Sequence, residues 1–158
     1  MRFFALLLPL AVLPAIAQKT PQFSDYPAQS DFKGKPAVAK VERASDRMYR
    51  TRIREAAAAG PNFAGKFTVA QWGCGAGCVQ TVIVDASNGT VYHLPSAELP
   101  CESDNQPTCP LVVTCQTGEP FEFKRDSHLL IIHACGKDKK AVHIYLRWTG
   151  TKFERLQP

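Results

Sequence analysis

Two cysteines four positions apart, Cys74 and Cys78, enclose Gly75-Ala76-Gly77 and follow Trp72-Gly73. Thiol–disulfide exchange is the first chemistry such a pair suggests. Oxidoreductases perform it with Cys-x-x-Cys at a helix N-terminus, where the dipole lowers the thiol pKa. Here three residues separate the cysteines, and the run after them, Val79 to Asp85, is β-rich. Both departures count against redox catalysis. The glycines free the backbone for a tight turn, so the stretch reads as a stapled turn joining two strands.

Four histidines, His93, His128, His133 and His143, all fall in β-type runs. His133 and His143 meet across a hairpin only in one register, because a slip of one residue puts them on opposite faces. Two histidines do not make a zinc site, and neither Cys-x-x-Cys nor His-x-x-x-His accompanies them. Each is expected to be a sheet residue, and no metal or cofactor is expected. Hydrolytic motifs (Gly-x-Ser-x-Gly, His-Glu-x-x-His) are missing from the sequence. Asp85, Glu98, Glu102 and Asp104 cannot be paired into a catalytic couple from sequence.

Arg47, Arg50 and Arg54 recur at helical spacing, with Arg43 continuing the row. They form either an anion-binding ridge or the solvated face that exposed helices ordinarily carry, and the second reading outweighs the first. Trp72, Tyr92, Tyr145 and Trp148 offer aromatic surface, although strand aromatics more often serve the core. Nucleic-acid binding lacks its aromatic-basic module.

The elements that must hold these residues follow from periodicity. A helix is expected from Ser45, as N-cap, to the stop at Gly60-Pro61, with Met48, Tyr49, Ile53, Ala56 and Ala57 as its buried stripe. From Lys66 the period changes to two. Strands are expected at 66–72, 79–85, 90–94, 111–115, 120–125, 128–134, 141–148 and 152–156. Asn88-Gly89 marks a hairpin. In the 141–148 run Val142, Ile144, Leu146 and Trp148 share one face, and His143, Tyr145 and Arg147 the other. The fold class is α+β, mainly antiparallel β: one N-terminal helix on a seven- to eight-stranded meander, as sandwich or barrel.

Residues 1–17 read as a signal peptide: a positive start, the apolar run Phe3 to Leu13 and the Ala15-Ile16-Ala17 cleavage signal. Cleavage leaves 141 residues, a net charge of +4 and no later stretch apolar enough to span a bilayer. Residues 18–44 are expected to be an extended arm anchored by Phe23, Tyr26 and Phe32, and 45–158 a single domain. Six cysteines in an exported chain imply a disulfide framework. Spacing prefers Cys74–Cys78, Cys101–Cys109 and Cys115–Cys135, out of fifteen connectivities. Together three such bridges would contribute about 8 kcal/mol, comparable with the whole net stability of a domain, about 5–15 kcal/mol.

The segments Gly60-Pro61-Asn62-Phe63-Ala64-Gly65 and Trp72-Gly73-Cys74-Gly75-Ala76-Gly77-Cys78 resemble a motif pair of a family of small exported bacterial proteins of uncharacterised function. The resemblance implies a periplasmic or secreted protein of a Gram-negative bacterium, and no activity. What survives is a non-enzymatic, disulfide-stapled binding or interaction module. Its surface is expected at Trp72, Gly75, Ala76 and Gly77 or at Arg47, Arg50 and Arg54, its partner a protein or an anionic envelope component. The alternative is a redox-active envelope protein using Cys74 and Cys78.

Overall fold

Alternation of apolar and polar residues from Lys66 onward produces two four-stranded antiparallel sheets in the computed structural model, which describes residues 19–29, 32–75, 78–95, 112–113, 118–135 and 140–158. The first sheet joins β1 (Phe67–Gly75), β2 (Cys78–Asp85) and β3 (Val91–His93) in order. A short β4 (Val112–Val113) also pairs with β2, at Cys78 and Val79 where that strand begins, while β3 takes Val82 to Val84. The second sheet runs β5 (Phe121–Phe123), β6 (Leu129–Cys135), β7 (Ala141–Trp148) and β8 (Phe153–Leu156). One continuous meander is thus replaced by two short ones, because β4 returns to β2 instead of extending the sheet beyond β3.

The inner faces of the two sheets build a common core. Phe67, Val69 and Ile83 of the first pack with Phe121, Leu130, Ile132, Ile144, Leu146 and Trp148 of the second. Each apolar strand face is removed from water only by the other, and full burial of such a side chain stabilises by roughly 1.5–3 kcal/mol. Neither sheet closes on itself, so the sandwich replaces the barrel. The face assignment in β7 matches the expected one: Ile144, Leu146 and Trp148 are buried, while His143 and Arg147 are exposed.

The other face of the first sheet carries a second core. Ala70, Val82 and Val84 pack with Ile53 and Ala57 of the helical layer and with Ala39 of the arm. That layer departs from the single helix expected. It is split into α1 (Ala44–Arg47) and α2 (Arg50–Ala58). The N-cap of α1 is Arg43, without a capping side chain, and not Ser45. Between the two helices Tyr49 leaves helical geometry (φ −107°, ψ 13°) and its ring tilts against Trp72, centroids 5.1 Å apart. This kink also takes Met48 out of the buried stripe, leaving it 82% exposed.

The first half of the resembling motif pair has structural work. Gly60 (φ 96°) ends α2 in the left-handed region that a side chain disfavours. Asn62 Oδ1 accepts from the Val69 amide at 2.7 Å, and Phe63 is fully buried in the common core. The Ala64 and Gly65 amides donate to the Lys124 and Arg125 carbonyls, tying the start of β1 to the end of β5. In the second half, β1 and β2 continue into the turn as far as Gly75 and Cys78. A register shift between Gly73 and Gly75 makes Cys74 the extra residue of a bulge.

The arm is extended apart from a 3-10 turn at Phe23–Asp25. It crosses the outer side of the second sheet and then reaches the first. Buried Ser127 lies within 2.9 Å of both the Phe23 and Tyr26 carbonyls, and the His128 amide donates to Tyr26. Arg125 donates to the Phe32 carbonyl. Further on, the Ala37 and Lys40 amides donate to Ala86 and Gly89 beside the β2–β3 turn. A side chain at Gly89 (φ 78°) would run into the Val38 carbonyl, so this glycine both makes the turn and admits the arm.

Cys135, at the end of β6, is disulfide-bonded. The preferred pairs Cys74–Cys78, Cys101–Cys109 and Cys115–Cys135 each involve side chains outside the described residues. So does most of the proline-rich loop at 95–110.

Candidate functional site

The outer face of the helical layer carries Arg43, Arg47, Arg50, Arg52 and Arg54, all exposed. Ile53 and Ala57 seat α2 on the sheet, which leaves Arg50 and Arg54 on one flank of that buried stripe and Arg52 on the side away from it. The short α1 cannot hold itself; isolated helices of this length are unstable in water. A side-chain pair pins it instead. Asp46, 6% exposed, meets His93 Nε2 of β3 at 2.9 Å, and Ser45 Oγ donates to the other Asp46 oxygen at 3.2 Å. A cavity of about 240 Å³ beside this pair is lined by Lys40, Glu42, Arg43, Asp46, Thr90, Val91 and His93. The arginine row therefore starts at the mouth of a polar recess.

None of these five arginines makes an ion pair or side-chain hydrogen bond among the described residues. For the three on α2 the placement is also locally unfavourable. The first turn of α2 contains no acidic residue, so Arg50 and Arg52 face the positive end of the helix dipole. Arg50 and Arg54 repel each other four positions apart.

A second cluster lies on the outer face of the second sheet. The register pairs His133 with His143 directly. The His133 amide donates to the Pro120 carbonyl, toward β5. The two histidines therefore form a non-hydrogen-bonded pair, the kind in which facing side chains stand closest. Their Nδ1 atoms are 2.8 Å apart and the rings are edge to face. His133 Nε2 lies 2.7 Å from Glu122 Oε1 of β5. A carboxylate can only accept, so His133 carries its proton on Nε2, and its bare Nδ1 accepts from His143 Nδ1–H. Beside this chain a cavity of about 270 Å³ is bounded by Ile131, Tyr145 and arm residues including Gln22 and Phe23. Among the described residues no three His, Cys, Asp or Glu side chains converge as a metal cage.

Two further polar groups serve the fold. Burial would raise the Asp85 carboxyl, but hydrogen bonds from Ser87 and Lys66 outweigh it and hold it below the usual carboxylate range. That group fixes the β2–β3 turn. His128 is pushed below the usual histidine value by burial and then by the Arg147 charge. Among the described residues its buried Nδ1 has no hydrogen-bond partner.

Trp72, Tyr92, Tyr145 and Trp148 do not share one surface. Trp148 is core, with Tyr92 packed against it; Trp72 of β1 packs beneath the helical layer, and its Nε1 donates to Gln80 of β2. Tyr145 lies on the outer face of the second sheet. At the turn, Gly75 ends β1, Ala76 and Gly77 lie outside the described residues, and so do the side chains of Cys74 and Cys78 on which redox activity would rest. Sequence reading missed Arg52, the Asp46–His93 pair and the link from Glu122 to His133. Arg52 was legible in the composition of the helix. The two pairs span 47 and 11 residues and depend on strand placement.

Comparison with protein-family models, curated proteins and solved structures finds no match to this chain.

Proposed function

We propose that this is an exported, non-enzymatic binding module whose arginine-bearing helical face takes an anionic component of the bacterial envelope. One observation carries the reading: among the described residues five exposed arginines stand without acidic partners, and three of them, Arg50, Arg52 and Arg54, weaken the helix that carries them. Positive charge in a first helical turn costs about 0.3–1 kcal/mol, and a like-charge pair four apart a few tenths more, about 0.2–0.5 kcal/mol. A merely solvated face has no need of that arrangement. The rigid sandwich beneath preorganises the row, so little ordering is required on binding. Export follows from the signal-like residues 1–17, and the cysteines then serve as structural staples.

The mature chain is expected to co-sediment with an envelope fraction at low salt and to be released as ionic strength passes about 0.15 M, where screening acts over about 8 Å. The triple variant Arg47→Glu/Arg50→Glu/Arg54→Glu should lose this binding while keeping its fold. Retention by the variant, or indifference to salt, would remove the arginine face from the account.

A further inference from the structure

We propose that His133 and His143 form the protein half of a divalent transition-metal site of the copper(II) or nickel(II) type. The site lies on the outer face of the second sheet and is independent of the arginine face. Strand register supplies the first support. Both imidazoles leave one face at directly opposed positions of two hydrogen-bonded strands, so the backbone holds them without help from a loop.

The second support is the protonation pattern. Glu122 fixes the proton of His133 on Nε2 and directs a lone pair from Nδ1 toward His143. A carboxylate behind a histidine is the arrangement that orients metal-ligating imidazoles and raises their basicity. His143 becomes the second donor by exchanging tautomer: Nδ1 releases its proton and Nε2 gains one from solvent. No net proton is taken up, and the exposed ring has water within reach.

Distance decides the class of metal. With bonds of about 2.0 Å, nitrogens 2.8 Å apart subtend about 90° at the ion. That is the cis angle of a tetragonal or octahedral centre, the geometry of copper(II) and nickel(II). A tetrahedral zinc ion would need the two nitrogens about 3.3 Å apart. Turning each ring by roughly 45° from its hydrogen-bonded orientation brings both lone pairs onto such an ion, displaced from the line between the nitrogens. The cavity beside the pair leaves room for water to fill the remaining positions, which makes the site open and exchangeable.

Titration of the full mature chain with copper(II), followed by calorimetry and by paramagnetic broadening of amide resonances, tests this. The expected result is one ion per chain, with broadening centred on residues 121–123, 131–135 and 141–145. His143→Gln should abolish that binding, and Glu122→Gln should weaken it by about 10- to 100-fold, as loss of a supporting carboxylate does. Both side chains are exposed, so thermal melts should match wild type. Nickel(II) should bind less tightly than copper(II), and zinc(II) less tightly than copper(II). Unchanged affinity in His143→Gln, broadening centred on His93 or His128, or tighter binding of zinc(II) than of copper(II) would each overturn the proposal.

Discussion

Single side chains in this molecule divide into those that hold the sandwich and those that face outward unsatisfied. His128 is of the first kind and carries a pH signature. Because its folded pKa lies below its ordinary value, the neutral ring stabilises the fold above the unfolded histidine pKa of about 6.5. That stability is lost as pH falls from there toward the lowered folded value. Unfolding free energy should therefore decline as pH falls below about 6.5, and His128→Gln should flatten the decline. An equal slope in the variant would place the acid sensitivity elsewhere. Asp85 has the same sign in the carboxylate range: its contribution is present above about pH 4 and is lost in acid.

At the level of elements, the arm behaves as a strap. Ser127 Oγ reaches two arm carbonyls and accepts from the buried Leu129 amide. Ser127→Ala would strand these groups, at about 1–3 kcal/mol. It should lower global stability by about that amount and speed proteolysis within residues 19–32. Equal cleavage rates in both forms would mean the arm is held from elsewhere. Much of this level was legible in the sequence. Period-two alternation located the strands, and Asn88-Gly89 located a turn, because both depend on near neighbours. The arm's contacts were not legible: they run through the Phe23, Tyr26 and Phe32 carbonyls, which any residue would offer. The helix was legible in part. Tyr49 obeys its contact with Trp72, far along the chain, and no local pattern shows that Met48 is turned out as a result.

For the whole molecule, three layers share two cores, with the arm bound across both sheets. Sequence could supply the faces but not the order of strands. The choice between one meander and two depended on where β4 paired, and its neighbours in sequence say nothing of that. The functional surfaces were legible in part for the same reason. Arg47 ends α1 and Arg50 and Arg54 lie on α2 just after it, near enough in sequence to be read together. The alignment of His133 with His143 required the register, and the partnership of Asp46 with His93 required packing of α1 on β3. The two outward-facing sites lie on different layers, arginines on the helices and histidines on the second sheet. Neither should respond to substitutions in the other.

The central claim, that the helical face gives up stability to bind an anionic partner, is tested most directly by Arg50→Glu. Thermal stability and envelope binding should be measured on the same preparation. Removing a cation from the first turn of α2 and placing a carboxylate opposite Arg54 should stabilise the fold by about 0.5–1.5 kcal/mol, while affinity for the envelope fraction falls. A variant that is more stable and binds as tightly as wild type would contradict the account, as would one that loses stability and binding together.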